Sequence, residues 1–474
     1  MVFSSNVFLF LFLPVALAGY YLLPKVCRNV FLLVMSLLFY AWGEPKFVFG
    51  MMGSIVFNYF MALLVSYYRE RAPLHKFYLV LCLTGNLGLL FTFKYLGFFI
   101  TTVNRLGFDI PYVEYALPIG ISFFTFQAMS YVIDVYRGDA VAEKKPHNVG
   151  MYIAIFPALI AGPIIRYKDF APYIYDRKID FGSFGEGVRR FIIGFSKKIL
   201  LANNMALIAD QAFSTPDPER SVLYAWLGAV AYTFQIFFDF SGYSDMAIGL
   251  GKMFGFKFLE NFNYPYISRS ISEFWRRWHM SLGRWFRDYV YFTLGGSRVD
   301  SKGRLVFNLF VVWLLTGFWH GADWTFVLWG LMYFVLISFE KLTGLPGKLK
   351  TVFGKTAYQA FTMLCVVLGW VLFRAEGGPA AAGYLMSMFG LQGNPAAGDM
   401  VTLVFREYWL FLLAALLCST MLPGKLLDRL GAPGRKPVNY ISNTAALVFY
   451  FFIFIWSVSF IILRAHNPFI YFIF

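Results

Sequence analysis

The chain has 474 residues, of which 59% are hydrophobic, 21% aromatic and only 14% charged. Since a soluble domain carries roughly 25% charged residues, this composition excludes the soluble classes and predicts an all-α, polytopic membrane protein. The net charge of +15 is spread over many loops. That distribution favours contact with anionic membrane lipid and argues against nucleic acid as a partner.

Apolar windows of about 17–25 residues predict membrane helices. Basic turns follow the first, third and fifth windows, so we expect those turns to be cytoplasmic and the N-terminus to lie outside. The N-terminal segment lacks the basic n-region and the small-residue cleavage site of a signal peptide, so we expect the first window to be a retained span. The windows lie near residues 4–23, 28–43, 47–68, 77–100, 115–136, 191–213, 221–250, 305–319, 324–341, 356–374, 405–422 and 439–464.

Two segments do not fit as simple spans, and we expect both to lie on the cytoplasmic side. Residues 149–165 contain two prolines and have basic flanks, which favours a re-entrant or interfacial segment. Residues 262–303 are too charged to cross a bilayer, and the spacing of their aromatic residues predicts an amphipathic helix from Ser270 to Phe292 in the membrane interface. Together the two segments predict a cavity that opens inward.

His320 is the first candidate for chemistry, because a histidine inside an apolar hairpin is a functional candidate by default. We expect it at the turn of the hairpin, with Asp323 orienting its ring and with Gly317 and Gly321 leaving room for substrates. The alternative is a structural histidine that caps a helix end or binds a carbonyl group.

A second candidate cluster surrounds His279. Here a histidine follows Arg276, Arg277 and Trp278, so it could act as a base or donor beside an anion that the arginines bind. The alternative is an interfacial anchor, since Trp and Arg are enriched at the headgroup level.

Two carboxylates, Asp239 and Asp245, lie in an otherwise apolar span. A carboxylate at that depth costs roughly 2.5–3.5 kcal/mol, so each must face a cavity or pair with a cation. We expect the span that carries them to be tied to the basic re-entrant region. Substrate binding and a purely structural polar network both remain open for these residues.

The four cysteines, Cys27, Cys82, Cys365 and Cys418, lack metal or disulfide spacing.

Four motifs make the chain resemble a known family. The stretches 118–139, 238–251, 261–291 and 315–330 are similar to those of the membrane-bound O-acyltransferases, and within them to the alginate O-acetyltransferase branch. The resemblance implies one membrane-embedded domain over residues 1–474, built as a ring of helices in which a cytoplasmic funnel meets an outer one. It also implies a catalytic pair, with His320 essential and His279 second.

The resulting hypothesis is an inner-membrane O-acetyltransferase. A cytoplasmic thioester, acetyl-CoA, would serve as a substrate and not as a bound cofactor, and no metal is expected. Its acetyl group would pass to extracytoplasmic acceptor or transferase proteins and then to a polysaccharide such as alginate, with His320 acting as the base. We expect a group of residues to bind the donor, namely Arg276, Arg277, Trp278, Asp239 and Asp245. The alternative is a transporter in which intramembrane Asp and His residues relay protons.

Overall fold

A computed structural model of the chain describes residues 1–112, 115–430 and 440–463, and the regular elements in these ranges are all helical. Helices form because they satisfy the backbone hydrogen bonds internally where lipid cannot. They are α1 (Phe8–Leu22), α2 (Lys25–Gly43), α3 (Phe47–Tyr67), α4 (Ala72–Asn104), α5 (Ile121–Arg137), α6 (Pro146–Ala154), α7 (Phe156–Leu159), α8 (Tyr167–Phe170), α9 (Pro172–Tyr175), α10 (Phe181–Ser214), α11 (Val222–Met253), α12 (Ile271–Arg277), α13 (Met280–Phe286), α14 (Lys302–His320), α15 (Trp324–Thr343), α16 (Leu345–Lys348), α17 (Val352–Arg374), α18 (Gly378–Met388), α19 (Asp399–Cys418), α20 (Leu422–Leu430) and α21 (Tyr440–Ile462).

Within the described ranges, ten helices are long and apolar enough to cross a membrane. They are α2, α3, α4, α10, α11, α14, α15, α17, α19 and the Thr444–Ile462 part of α21. The prediction of an all-α, multi-pass membrane protein is therefore confirmed. The ring of helices, the funnels and the side of the membrane on which each loop lies stay predictions.

Two of the predicted windows have a different form in the structure. The window 4–23 yields only the shorter apolar helix α1. The window 115–136 yields α5, whose 17 residues extend about 26 Å, less than the roughly 30 Å of a bilayer core. Its polar residues Gln127 and Asp134 are 1% and 0% exposed. Because other parts of the protein enclose α5, its burial does not depend on lipid.

The described chain divides into two compact units. The first comprises Met1–Phe191 with Met246–Leu259, and the second comprises Ile192–Asp245 with Glu260–Phe474. In the first unit, Asn58 of α3 and Asn86 of α4 exchange side-chain amide hydrogen bonds of 3.1 and 2.8 Å. Paired amides join apolar helices because neither amide finds another partner in lipid.

The segment 149–165 belongs to the first unit and is broken, as its prolines predict. Helix α6 ends at Ala154, and α7 begins at Phe156 after Ile155, whose backbone is not helical. The hydroxyl of Ser36 accepts a hydrogen bond from the Phe156 N–H at 3.1 Å. A protein group thus satisfies the backbone at the break, which buried irregular backbone requires. Whether the segment is re-entrant stays a prediction.

The second unit has a core of aromatic rings around α12. Trp275 of α12 lies edge-on to Trp313 of α14 and Tyr333 of α15, with ring centroids 4.9 and 4.8 Å apart. Trp278 packs on Trp370 of α17 at 4.7 Å. Aromatic pairs add about 0.5–1.5 kcal/mol each beyond the burial of their area. These contacts fix the short helix α12 against three long ones.

Two ion pairs connect α10 and α11 in the second unit. Lys198 Nζ lies 2.7 Å from Asp239 Oδ1, and the two side chains are 3% and 2% exposed. Lys197 Nζ lies 2.7 Å from Asp245 Oδ2. Each carboxylate therefore pairs with a lysine of the preceding helix, and the expected tie between their span and the basic re-entrant region stays a prediction. Any role of the two carboxylates in binding the donor stays a prediction.

We predict that Asp239→Leu lowers the amount of folded protein in the membrane, because it removes the carboxylate that pairs with the buried Lys198 ammonium. Breaking a buried pair on one side costs about 3–5 kcal/mol. The double variant Lys198→Met/Asp239→Leu removes both charges and should recover much of the loss. Membrane abundance by blot and activity per folded molecule are the measurements. A double variant as depleted as the single one would contradict this account.

Candidate active site

The predicted helix from Ser270 to Phe292 is interrupted at its most polar point. Helix α12 ends at Arg277 and α13 begins at Met280, so Trp278 and His279 lie between them. His279 adopts the left-handed conformation, with φ 43° and ψ 52°. That conformation costs a non-glycine residue about 1–3 kcal/mol and is concentrated at functional sites. The prediction of one continuous interfacial helix is therefore wrong.

Asn261 holds the two sides of this break together. Its backbone oxygen accepts a hydrogen bond from the Met280 N–H at 2.9 Å. Its side-chain oxygen accepts hydrogen bonds from the backbone N–H and the hydroxyl of Ser281, at 3.2 and 2.9 Å. These bonds satisfy the N–H groups that open α13 and compensate for the strain at His279.

The imidazole of His279 is enclosed by protein. Its Nδ1 lies 3.1 Å from Asn261 Oδ1, and its ring meets the edge of Phe240 at 4.6 Å and Trp319 at 5.8 Å. Burial lowers the pKa of His279 to about 3, because a low dielectric disfavours the charged imidazolium. The ring is therefore neutral at physiological pH.

Helix α12 is anchored at its start by a buried carboxylate. Glu340 of α15 accepts hydrogen bonds from the backbone N–H groups of Ile271 and Ser272 at 2.7 and 2.8 Å. The Ser270 hydroxyl accepts a third, from the Glu273 N–H at 3.1 Å. A carboxylate at a helix N-terminus also complements the helix dipole. These bonds fix the position from which Arg276 and Arg277 project.

His320 is the last residue of α14, at the turn into α15, as the sequence predicts. It is 4% exposed and lies among the rings of Trp319, Trp329 and Phe373, with centroids 4.9–5.1 Å away. Asp323 does not orient it. That carboxylate instead accepts a hydrogen bond from the Thr325 N–H at 2.8 Å and so caps α15.

The glycines beside His320 serve helix packing, and not substrate access as the sequence suggested. A Cβ at Gly317 would lie 2.5 Å from the backbone oxygen of Phe326 in α15. A Cβ at Gly321 would lie within 2.1 Å of the Phe326 ring. The expectation that these positions leave room for two substrates is wrong, because α15 already fills the space.

A cavity of about 320 Å³ reaches His279. Trp278, Trp313 and Thr316 are among the residues that line it, together with three cationic side chains, Arg276, Arg287 and Lys341. A cavity that combines an aromatic wall, a neutral imidazole and cations suits an anionic ligand with a less polar end. His320 lies outside this lining and is connected to it through Trp319, whose ring contacts both imidazoles.

The predicted donor-binding residues near His279 differ in their contacts. Arg276 is exposed on the cavity and makes no hydrogen bond or ion pair with the described residues. Arg277 is held by Glu273 at 2.9 Å and by the backbone oxygen of Asn263 at 3.0 Å. Trp278 is 2% exposed and combines cavity lining with core packing. The geometry therefore favours Arg276 over Arg277 as a ligand-binding cation.

Several site residues were not identified from the sequence. Four residues that contact His279, α12 or the cavity have no predicted role, namely Asn261, Arg287, Glu340 and Lys341. Glu340 offered a signal, because it is an acidic residue near the end of an apolar span and therefore needs a partner. Asn261 and the two cations offered none, since polar and basic residues are ordinary in loops and near the ends of membrane helices.

Residues 78–345 match the family model of the membrane-bound O-acyltransferase family. The chain belongs to this family. Residues 78–345 include both histidines, Asn261 and the cationic side chains of the cavity. Members are acyltransferases, so the protein is an enzyme that transfers an acyl group to a hydroxyl.

Relatives in this family bear names of three kinds. The chain is 46% identical to a protein of Pseudomonas putida named probable alginate O-acetylase AlgI, over 82% of this chain and 80% of the relative. It is 35% identical to the peptidoglycan O-acetyltransferase of Helicobacter pylori, over 83% and 80%. It is 32% identical to the teichoic acid D-alanyltransferase of Bacillus subtilis, over 47% and 60%.

We predict that Gly317→Ala destabilises the hairpin that carries His320, because the new Cβ meets the backbone of α15 and not a movable side chain. The matched control is Gly303→Ala on the same helix, where no atom lies within 4 Å of the added Cβ. Thermal stability of the two purified variants gives the comparison. Equal melting temperatures for both variants would show that the close approach of α14 and α15 does not stabilise the fold.

Proposed function

We propose that this enzyme takes an acetyl group from a cytoplasmic thioester, acetyl-CoA, and passes it across the inner membrane for O-acetylation of an extracytoplasmic polysaccharide such as alginate. The similarity to alginate O-acetylases over four-fifths of each chain supports the polymer. The cavity that combines cationic side chains with the imidazole of His279 is the observation that carries the proposal. It matches a donor with an anionic head and a small, uncharged reactive end.

The donor's phosphates would lie at the cationic side chains of the cavity. Arg276 is the best placed of these, since its guanidinium has no carboxylate partner among the described residues. Arg287 is paired with Asp288 at 2.8 Å, and Lys341 lies 3.5 Å from the hydroxyl of Tyr291. Charge-assisted bonds from a planar guanidinium suit phosphate oxygens. The thioester end would then extend toward His279 along the aromatic wall.

The two histidines are assigned to the two ends of the reaction. His320 takes the proton of the acceptor hydroxyl, and the oxygen then attacks the carbonyl carbon of the thioester. The new C–O bond forms as the C–S bond breaks, and the departing sulfur must gain a proton. His279 lies on the donor cavity, where its imidazole can take up a proton from water and deliver it to the thiolate, while His320 releases the acceptor proton to water. One proton therefore leaves the hydroxyl and one reaches the thiol, and the reaction balances.

The acceptor and its partners lie on the opposite side of the membrane in this proposal. An acceptor hydroxyl belongs to an extracytoplasmic acceptor or transferase protein, which finishes transfer to the polysaccharide. No bound cofactor is required. The transporter alternative loses its main support, because Asp239 and Asp245 each face a lysine partner and a proton relay needs carboxylates that can change partners.

The direct test is consumption of labelled acetyl-CoA by the purified protein in vesicles that carry no ion gradient. An acyltransferase releases CoA and moves label to an added acceptor, whereas a transporter driven by a proton relay does neither. In cells, deletion of the gene should lower the acetyl content of the secreted polysaccharide. Absence of CoA release together with an unchanged acetyl content would refute the proposed function.

We predict that His320→Ala abolishes acetyl transfer while the protein remains inserted. No other side chain in the hairpin turn can take a hydroxyl proton near neutral pH. His279→Ala should lower activity less, because water can protonate a departing thiolate. Both variants need a blot for abundance and an assay of polymer acetylation. Substantial acetylation by His320→Ala at normal abundance would show that His320 is not the base.

We predict that Arg276→Ala raises the KM for acetyl-CoA about ten-fold at unchanged abundance, as expected for the loss of one charge-assisted bond. Arg277→Ala is the contrasting variant. Because Arg277 bonds to Glu273 and to the Asn263 backbone, its loss should reduce abundance more than donor affinity. If Arg276→Ala mainly lowers abundance and Arg277→Ala mainly raises the KM for acetyl-CoA, the assignment of Arg276 to the donor is wrong.

A further inference from the structure

Asn261 makes a set of contacts that goes beyond holding a loop. It is 1% exposed, and its side-chain oxygen faces His279 Nδ1 at 3.1 Å and the Ser281 hydroxyl at 2.9 Å. Its Nδ2 donates a hydrogen bond to the hydroxyl of Ser244 in α11 at 3.0 Å. The backbone N–H of Ser281, which can only donate, bonds to the same atom of Asn261 that faces the imidazole. That atom is therefore the carbonyl oxygen, which can only accept.

This geometry fixes the tautomer of His279. A neutral imidazole carries one proton, and the ring nitrogen that faces an obligate acceptor holds it. Nδ1 is therefore protonated, and Nε2 keeps its lone pair. Within the described ranges, Nε2 is buried and has no hydrogen-bond partner, so no group in those ranges occupies that lone pair. His279 is also part of the cavity lining.

We propose that Asn261 is the positioning residue of the acyl-transfer site, which sets the tautomer and orientation of His279 so that its Nε2 lone pair serves the donor cavity. Asn261 itself touches neither donor nor acceptor in this arrangement. The inference rests on the proposed role of His279 at the donor end, but the tautomer itself does not depend on that role.

The surroundings of His279 leave Asn261 as its principal polar contact. The ring is packed by Phe240 of α11 and Trp319 of α14, and the Ser281 hydroxyl of α13 lies 3.5 Å from Nδ1. The acidic groups of α11 that the structure pairs with lysines are Asp239 and Asp245. The charged groups that share the cavity are Arg276, Arg287 and Lys341, all cationic.

The first arm of the test measures the tautomer and needs no activity. The chain has five histidines, so ¹⁵N-histidine spectra of the full-length protein are tractable, and the signals missing from His279→Ala identify His279. We expect a protonated Nδ1 and an unprotonated Nε2 in the wild type. A wild-type His279 protonated at Nε2 would overturn the proposal. If the expected tautomer is found but the wild type does not consume acetyl-CoA, the proposed function fails and the structural assignment stands.

The second arm compares three variants at matched abundance. Asn261→Leu removes the acceptor and should lower kcat about as far as His279→Ala does, with the KM for acetyl-CoA nearly unchanged. Asn261→Asp keeps an acceptor oxygen and should recover activity relative to Asn261→Leu. Its negative charge raises the pKa of a neighbouring imidazole, so its activity should begin to fall, on acidification, at least about one pH unit above the wild type.

Asn263→Leu is the matched control, because Asn263 lies two residues away, is exposed and uses only its backbone to bond with Arg277. It should retain wild-type kcat and the wild-type pH profile. Asn261→Leu with full activity would overturn the proposal, and so would Asn261→Asp with no more activity than Asn261→Leu. Either result would reduce Asn261 to a structural support of the loop.

Discussion

Where a helix is interrupted inside a membrane protein, the backbone N–H and C=O groups at the interruption need hydrogen-bond partners within the protein, because lipid offers none. The proposed active site follows from this constraint. The chain breaks its helix between Arg277 and Met280, and the groups exposed there are met by Asn261, while Glu340 meets those at the start of α12. Residues distant in sequence satisfy the backbone at the break, and His279, which lies at the break, lines the cavity.

Charge is distributed by the same logic. The buried carboxylates of α11 pair with adjacent lysines of α10. Among the cavity cations, Arg276 has no hydrogen bond or ion pair with the described residues. Between the two histidines lies Trp319, whose ring contacts both. This aromatic separation suits the proposed reaction, in which donor and acceptor approach from opposite sides and only a small acyl group passes between them.

Much of the fold could be predicted from the sequence, because long apolar windows can form little other than membrane helices. The family also could be predicted, since its motifs are long and specific. Predictions failed where the outcome depended on distant partners. The periodicity of residues 270–292 indicated one helix, but hydrogen bonds to Asn261 stabilise a break at His279. Asp323 and the glycines near His320 looked functional beside a histidine, and they proved to cap and pack the hairpin.

The account depends on the donor entering the cavity that His279 lines. A cryo-electron microscopy structure of the full-length protein with a non-hydrolysable acetyl-CoA analogue would test it most directly. The account predicts phosphate density beside Arg276 and the thioester position within about 4 Å of Nε2 of His279, a distance near that of reacting groups held for attack. Donor density that lies elsewhere, with the cavity vacant, would contradict it.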